Sequence, residues 1–266
     1  MPELPEVELY RRLLNERGLN KRIERVTVLD ARILGDLKAS ELRARLEGDK
    51  LLSTHRHGKH LLAQVDKNGW LALHFGMTGA LHYFEHPEDE PPFERVRLDF
   101  AGGGHLAYTN KRMIGRIGIA EDVDGFVAAE GLGPDALDKS FGLAAFKAAV
   151  ARTKRDVKSV LMDQALVAGI GNIYADEILF QAGIRPDTRR DGLDSKRLER
   201  LYRAMREVLE TAVERGAGSE TSVDRLPRGF LLPERKKGGR CPRCGHPLET
   251  FKAGARTGYY CARCQT

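Results

Sequence analysis

All four cysteines of the chain fall in its last 26 residues, as Cys241-x2-Cys244, sixteen intervening residues, then Cys261-x2-Cys264. Two such knuckles bring four thiolates around one zinc ion in tetrahedral geometry, a closed site that builds structure rather than doing chemistry. Two disulfides are the rival arrangement, but they belong to oxidising compartments, and the N-terminus shows no secretory pattern of a basic stretch followed by an apolar one. The expectation is one structural Zn held by Cys241, Cys244, Cys261 and Cys264, with a β-hairpin between the two pairs. This end of the chain is also strongly basic. From Arg225 to Thr266 there are ten Lys/Arg against Glu234 and Glu249, a local balance of 10 − 2 = +8 where the whole chain carries +6. The rest of the molecule is therefore close to neutral, and a polyanionic partner is expected to meet the C-terminus.

At 266 residues, 41% hydrophobic and 31% charged, the chain is long enough for two globular cores. No apolar run approaches the ~20 residues of a membrane span. A cytoplasmic protein without membrane partners is the default.

Between residues 22 and 120 the sequence reads as short strands broken by turn residues: Ile23 to Leu34, Leu51 to Thr54, His60 to Val65, Trp70 to Phe75, Ala80 to Phe84, Val96 to Phe100, His105 to Thr109 and Ile117 to Ala120. Arg95-Val96-Arg97-Leu98-Asp99-Phe100 alternates with period two, and Asp66-Lys67-Asn68-Gly69 and Gly102-Gly103-Gly104 supply hairpin turns. Antiparallel strands at this spacing predict a sandwich or barrel. Glu85 to Glu94 is acidic and proline-rich, an exposed loop expected to point away from a polyanionic partner. Gly131-Leu132-Gly133-Pro134-Asp135 marks a domain boundary, after which the period becomes helical over Ala144 to Ala151, Val157 to Gln164, Ile173 to Ala182 and Leu198 to Arg215. Between the second and third of these, Val167-Ala168-Gly169-Ile170-Gly171-Asn172-Ile173-Tyr174 reads as a tight turn with Asn172 as helix cap and the helix N-terminus as a phosphate site. It is not a dinucleotide fingerprint, because no strand precedes it and the third glycine is missing.

The other end of the chain carries the chemistry. Pro5 suits the first turn of a helix, with Glu6 and Glu8 at its positive end, Val7, Tyr10, Leu13 and Leu14 as its apolar stripe, and Arg17 and Gly18 closing it. Pro2 lies ahead of that helix. If Met1 is removed, Pro2 presents a secondary amine, and an α-amino group titrates near pH ~8, so it is partly unprotonated and able to form a Schiff base. Glu3 and Glu6 stand beside it as acid and base. Residues 55–60, His55-Arg56-His57-Gly58-Lys59-His60, form a basic turn. Its three histidines admit a metal, but a cluster facing phosphates is the better reading, with no carboxylate or cysteine close by in sequence.

Met1-Pro2-Glu3-Leu4-Pro5-Glu6-Val7-Glu8 resembles the start of the formamidopyrimidine-DNA glycosylase and endonuclease VIII family, and the rest of the chain is similar to that family in the same order. The resemblance implies Pro2 as nucleophile, Glu3 as the acid that helps open the sugar, Glu6 in support, and Lys59 contacting DNA and assisting the lyase steps. It implies Met77 and Arg112 on loops that fill the gap left by an extruded base. Ile114 stands there in place of the family's phenylalanine, Asn110-Lys111 in place of Asp-Pro, and Phe93 where many members carry a DNA-contacting histidine. Val157 to Pro186 resembles the helix–two-turn–helix, with Lys154, Lys158 and Asn172 matching phosphate contacts, and Arg256 matches the arginine at the tip of the zinc hairpin that grips the backbone.

The expected fold is α+β: an N-terminal antiparallel β-sandwich with a leading helix (1–131), a helix–two-turn–helix domain (132–222), and a loop with C-terminal zinc finger (223–266). The resemblance implies a monomeric, bacterial-type, nucleoid-associated DNA glycosylase and AP lyase acting on damaged or abasic duplex DNA by β,δ-elimination. The alternative is a non-catalytic zinc protein binding the same DNA on the same scaffold. Only ten residues, 220–229, separate Ser219 from Phe230, and Pro233-Glu234-Arg235-Lys236 lacks the family's tyrosine-glycine-arginine. A shorter loop over the flipped base offers fewer N–H groups, so 8-oxoguanine is expected to be a poor substrate.

Overall fold

The computed structural model describes residues 2–66, 69–218 and 222–266. Its contacts divide the chain into two compact units, one of Pro2 with Glu6–Glu130, the other of Glu3–Pro5 with Gly131–Thr266. The first helix, α1 (Leu4–Arg17), starts in the second unit and continues in the first.

The first unit is built on eight strands: β1 (Ile23–Val28), β2 (Leu51–His57), β3 (His60–Val65), β4 (Gly69–His74), β5 (Gly79–Phe84), β6 (Glu94–Phe100), β7 (His105–Asn110) and β8 (Arg116–Ala120). They form two antiparallel four-stranded sheets, ordered β1-β6-β7-β5 and β2-β3-β4-β8. Their inward residues share one core, with Val26, Leu81, Val96, Leu98 and Leu106 from the first sheet and Leu61, Leu71, Leu73 and Ile117 from the second. Val7 and Leu14 of α1 join it, as the apolar stripe of that helix requires. This is the expected sandwich. Gly102-Gly103-Gly104 closes the β6–β7 hairpin, all three glycines at positive φ, whereas Lys67 and Asn68 of the other expected turn lie outside the described residues.

Two helices in this unit escape the sequence reading. The expected strand Ile23 to Leu34 stops at Val28, because the Asp30 side chain accepts from Arg32 N–H at 3.2 Å and folds Ala31–Leu34 into a 3-10 turn. A short helix, α2 (Ala39–Leu46), follows and buries Leu42 and Leu46. Another, α3 (Val123–Ala129), is capped by Asp122, which accepts from Gly125 N–H at 2.7 Å.

The second unit holds α4 (Leu143–Val150), α5 (Val157–Leu161), α6 (Asn172–Ala182), α7 (Ser195–Glu214) and the hairpin β9 (Glu249–Ala253) with β10 (Arg256–Tyr260). Its core runs from Leu4 through Phe146, Leu161 and Tyr174 to Leu209. Gln164, expected at the end of α5, lies outside it. Its side-chain amide donates to Met162 O and Ile170 O, both at 2.8 Å, and its oxygen accepts from Gly169 N–H at 3.0 Å. One side chain thus staples both turns between α5 and α6. Helix α7 starts three residues earlier than expected, because Asp194 caps it through Arg197 N–H at 2.7 Å.

Glu177 of α6 is fully buried and accepts from Leu232 N–H at 2.8 Å and Gln181 Nε2 at 2.7 Å. Burial pushes its pKa up to about 7, against the lowering pull of Gln181, the Leu231 and Leu232 amides and Arg243. The folded value lies above the ordinary glutamate value of 4.5, so the stability that goes with the protonated form is complete below about pH 4.5 and is lost as pH rises through about 7. Between about pH 5 and about pH 8 the wild type should lose stability relative to Glu177→Gln by on the order of 3 kcal/mol. Urea melts at both pH values measure this difference, and parallel stability profiles for the two proteins would contradict it.

Candidate active site and nucleic-acid interface

Helix α6 begins where two glycines leave room for the N-terminal segment of the chain. Glu3 is fully buried, and its carboxylate accepts from Gly171 N–H at 2.5 Å, Ile173 N–H at 2.9 Å and Tyr174 N–H at 3.3 Å. Leu4 N–H donates to Gly169 O at 3.0 Å. A Cβ on Gly171 would stand 2.4 Å from the Glu3 carboxyl carbon, and one on Gly169, at φ +113, 2.6 Å from Leu4 Cδ1. These two positions are glycine because residues 3 and 4 lie against them. Two expectations change here. The cap residue is Gly171 rather than Asn172, and the positive end of α6 receives a carboxylate of the same chain rather than a phosphate.

Pro2, next in the chain, is half-buried, and Glu6 is buried in the first turn of α1. Asn172 donates through Nδ2 to Thr257 O at 3.0 Å, tying the start of α6 to the zinc hairpin. Lys158 departs from its expected place. It is 0% exposed, with Nζ 2.6 Å from Asp176 Oδ1, so in this structure it meets a carboxylate and not a phosphate. Burial, set against the Asp176 charge, lowers its pKa. Asp176 Oδ2 also accepts from Arg235 Nε at 2.7 Å and Tyr259 N–H at 3.0 Å, and a Cβ on Gly258 would stand 1.9 Å from Lys158 Nζ. Spacing in the sequence gives no sign of this network, since its members come from four separate segments. Lys154 is exposed.

The hairpin places the four cysteine sulfurs within 4.8 Å of one another, with Cys241–Cys264 at 3.7 Å and Cys244–Cys261 at 3.6 Å. Zn–S bonds of about 2.3 Å set tetrahedral S···S edges of about 3.8 Å, so the cysteines fit one zinc ion. Arg256 is exposed at the start of β10, its Nη1 3.8 Å from Met162 Sδ. The basic tail is less free than its charge suggests. Arg235 is held by Asp176, and Arg243 lies 4.3 Å over the Phe180 ring.

In the first unit, Lys59 sits on the β2–β3 turn beside Gly58, which has φ 55. Arg56 of the same stretch turns inward onto Glu8 at 3.2 Å rather than facing phosphate. His60 packs 4.8 Å from the His74 ring and 5.3 Å from that of Phe126. Burial, with help from His74, His57 and Lys59, pushes its pKa down to about 3. Among the described residues only the four cysteines gather three or more metal ligands. Met77 and Ile114 are 38% and 49% exposed, and Arg112 lies exposed between them in the chain.

The chain matches family models in the same order as these parts. Residues 1–117 match the formamidopyrimidine-DNA glycosylase N-terminal domain, 132–224 its H2TH domain, and 238–266 the zinc finger found in FPG and IleRS. It is 40% identical to a formamidopyrimidine-DNA glycosylase of Geobacter metallireducens over 275 residues, covering 100% of both. The chain belongs to the formamidopyrimidine-DNA glycosylase family. A family member from Pelobacter propionicus is 37% identical over the whole of both chains. Among solved structures, Lactococcus lactis formamidopyrimidine-DNA glycosylase bound to DNA containing an N7-benzyl-Fapy-dG superposes with TM-score 0.89 at 26% identity, covering 99% of each chain. The same protein on abasic-site DNA gives 0.88 at 26% and 99%, and a MutM complex with carbocyclic 8-oxo-G DNA gives 0.89 at 26% and 99%. The sandwich, the helix–two-turn–helix and the zinc finger are therefore those of a base-excision-repair glycosylase family with one structural zinc. No helix among the described residues is long and apolar enough to cross a membrane.

Elemental analysis should find one zinc per chain, and Cys244→Ser should lose it. Arg256→Ala should keep the metal yet bind DNA several-fold more weakly, because its guanidinium is not a ligand. Metal-free protein with unchanged DNA affinity would contradict a structural role for the ion.

Proposed function

We propose that the protein is a bifunctional glycosylase and AP lyase that removes damaged bases from duplex DNA through a Schiff base to Pro2. The observation that carries this is the burial of Glu3 at the N-terminus of α6, which holds a carboxyl group in one place immediately beside the proline. A zinc protein that only bound DNA would have no need of Pro2, Glu3, Glu6 and Lys59 together. Pro2, once N-terminal, attacks C1′ of the damaged nucleotide with its secondary amine. The base leaves as its anion and is protonated by water. Glu3 takes the proton the amine gives up and passes it to the ring oxygen as the sugar opens, and Glu6 supports the site. Lys59 then assists β- and δ-elimination. The nucleotide must leave the stack for this chemistry, and Met77, Arg112 and Ile114 fill its place. Lys154, Asn172 and Arg256 hold phosphates, whereas Lys158 supports them from within through Asp176.

The protein acts as a monomer in the nucleoid, organised as residues 1–131, 132–222 and 223–266. Residues 219–221 of the base-facing loop lie outside the described residues, so the lesion preference rests on the sequence: 8-oxoguanine is cut more slowly than ring-opened purines, oxidised pyrimidines or abasic sites.

Borohydride trapping tests the reading. Protein processed to Pro2 should give a covalent adduct with abasic-site DNA whose linked peptide begins at Pro2, and one extra N-terminal residue should abolish it. An adduct on Lys59 would overturn the assignment. Single-turnover rates on 8-oxoguanine:C, 5-hydroxycytosine, thymine glycol and abasic duplexes rank the substrates; 8-oxoguanine as the fastest would overturn the stated preference.

A further inference from the structure

Among the described residues, five large apolar side chains are exposed: Leu29, Leu52, Met77, Phe93 and Ile114. Three of them, Met77, Phe93 and Ile114, come from loops that are tied together at one buried residue, Asn110. Asn110 is 0% exposed; its side chain bonds the turn before β5 and its backbone bonds the segment that enters β6. Its Oδ1 accepts from Thr78 Oγ1 at 3.4 Å, next to Met77, and its Nδ2 donates to Phe75 O at 3.1 Å. Its backbone N–H donates to Phe93 O at 2.9 Å, and its backbone carbonyl accepts from Arg95 Nε at 2.9 Å. Thr78 Oγ1 in turn accepts from Arg112 N–H at 3.0 Å, and a Cβ on Gly76 would stand 2.6 Å from the Ile114 carbonyl carbon. The edge is thus one hydrogen-bonded assembly.

Phe93 stands where the family resemblance implies a DNA-contacting histidine, yet it cannot make a histidine's hydrogen bonds. It is 48% exposed and held at φ 64, a left-handed backbone that a bulky residue adopts only when its surroundings impose it. Met113, on the neighbouring loop, has φ 54. The Lys111 ammonium lies 5.3 Å from the Phe93 ring centre, and Lys111 and Arg112 are both exposed. Glu90 and Glu94 of the same segment are paired with Arg97, so the charge beside the ring is the Lys111 cation. An aromatic ring with a cation beside it at a solvent-facing edge matches a nucleic-acid base, which offers a face to stack on while the cation meets a phosphate.

We propose that Phe93 is a specificity-determining residue that stacks on an unpaired or partly unstacked base of the duplex, acting beside Met77 and Ile114 as a third apolar wedge. Phenylalanine has no hydrogen-bond donor, so its contact is with a base or sugar face and not with a phosphate oxygen. Asn110 is the positioning residue that presents it. The inference rests on the enzymatic reading above.

The test uses Phe93→Gly, Phe93→Trp and wild type, with thermal melts, binding to a duplex carrying an abasic-site analogue, and 2-aminopurine fluorescence opposite that site. Glycine suits φ 64, so Phe93→Gly should melt at or above the wild-type temperature while binding about tenfold more weakly and giving less 2-aminopurine unstacking. Phe93→Trp should restore both binding and fluorescence change. Unchanged affinity and unchanged fluorescence in Phe93→Gly would overturn the proposal, as would a loss of affinity that tryptophan fails to restore. Wild-type protein that forms no borohydride adduct but shows the Phe93 dependence would instead refute the enzymatic reading and leave the DNA contact standing.

Discussion

A carboxylate and three backbone amides organise this molecule. Glu3 reaches the first turn of α6 from 168 positions earlier in the chain and accepts from Gly171, Ile173 and Tyr174. Helix N-termini leave donors without partners, and a buried one needs an acceptor from elsewhere. Hydrogen bonds to a charged group are each worth about 1.5–3 kcal/mol, so this set is among the stronger tertiary attachments of its size. The attachment also explains the glycines of the Val167–Tyr174 turn. Without side chains, Gly169 and Gly171 let Leu4 and Glu3 approach within contact distance. The residue beside the proposed nucleophile is thus fixed by the helix–two-turn–helix.

A second buried charge does comparable work further along α6. Asp176 holds Lys158, Arg235 and the Tyr259 amide, while Asn172 and Arg235 both donate to Thr257 O. Burying an ion pair is costly unless the remaining donors and acceptors are satisfied, and Asp176 uses both oxygens. The network fixes the zinc hairpin against α6 through Tyr259 and Thr257. Zinc shapes the hairpin, and Asp176 places it.

Much of the fold was legible in the sequence because strands and long helices carry periodic patterns. His60–Val65 matches its expected bounds, and the seven other expected strands fall within a few residues of theirs apart from the long first one. Helices α2 and α3 were missed because each is only two turns long and set by a local polar cap or one i, i+4 leucine pair. The metal site was legible because all four ligands sit in two short pairs. Lys158 was misread for the opposite reason. Its partner lies 18 residues on, and the space for its ammonium depends on Gly258, a hundred positions away. Arg56 likewise turns toward Glu8, 48 residues earlier. Local patterns cannot report pairings of that kind.

Gly171→Ala tests most directly whether α6 holds the residue next to the proposed nucleophile. The Gly171 backbone, at φ −123, accepts alanine, so only the approach of Glu3 is blocked. Gly118→Ala is the control, since a Cβ there meets nothing within 4 Å. Borohydride trapping on abasic-site DNA, with zinc content and melting measured in parallel, gives the answer. Gly171→Ala should lose at least tenfold of the adduct with zinc retained, and Gly118→Ala should give a wild-type yield. A wild-type adduct yield from Gly171→Ala would contradict the hold of α6 on Glu3.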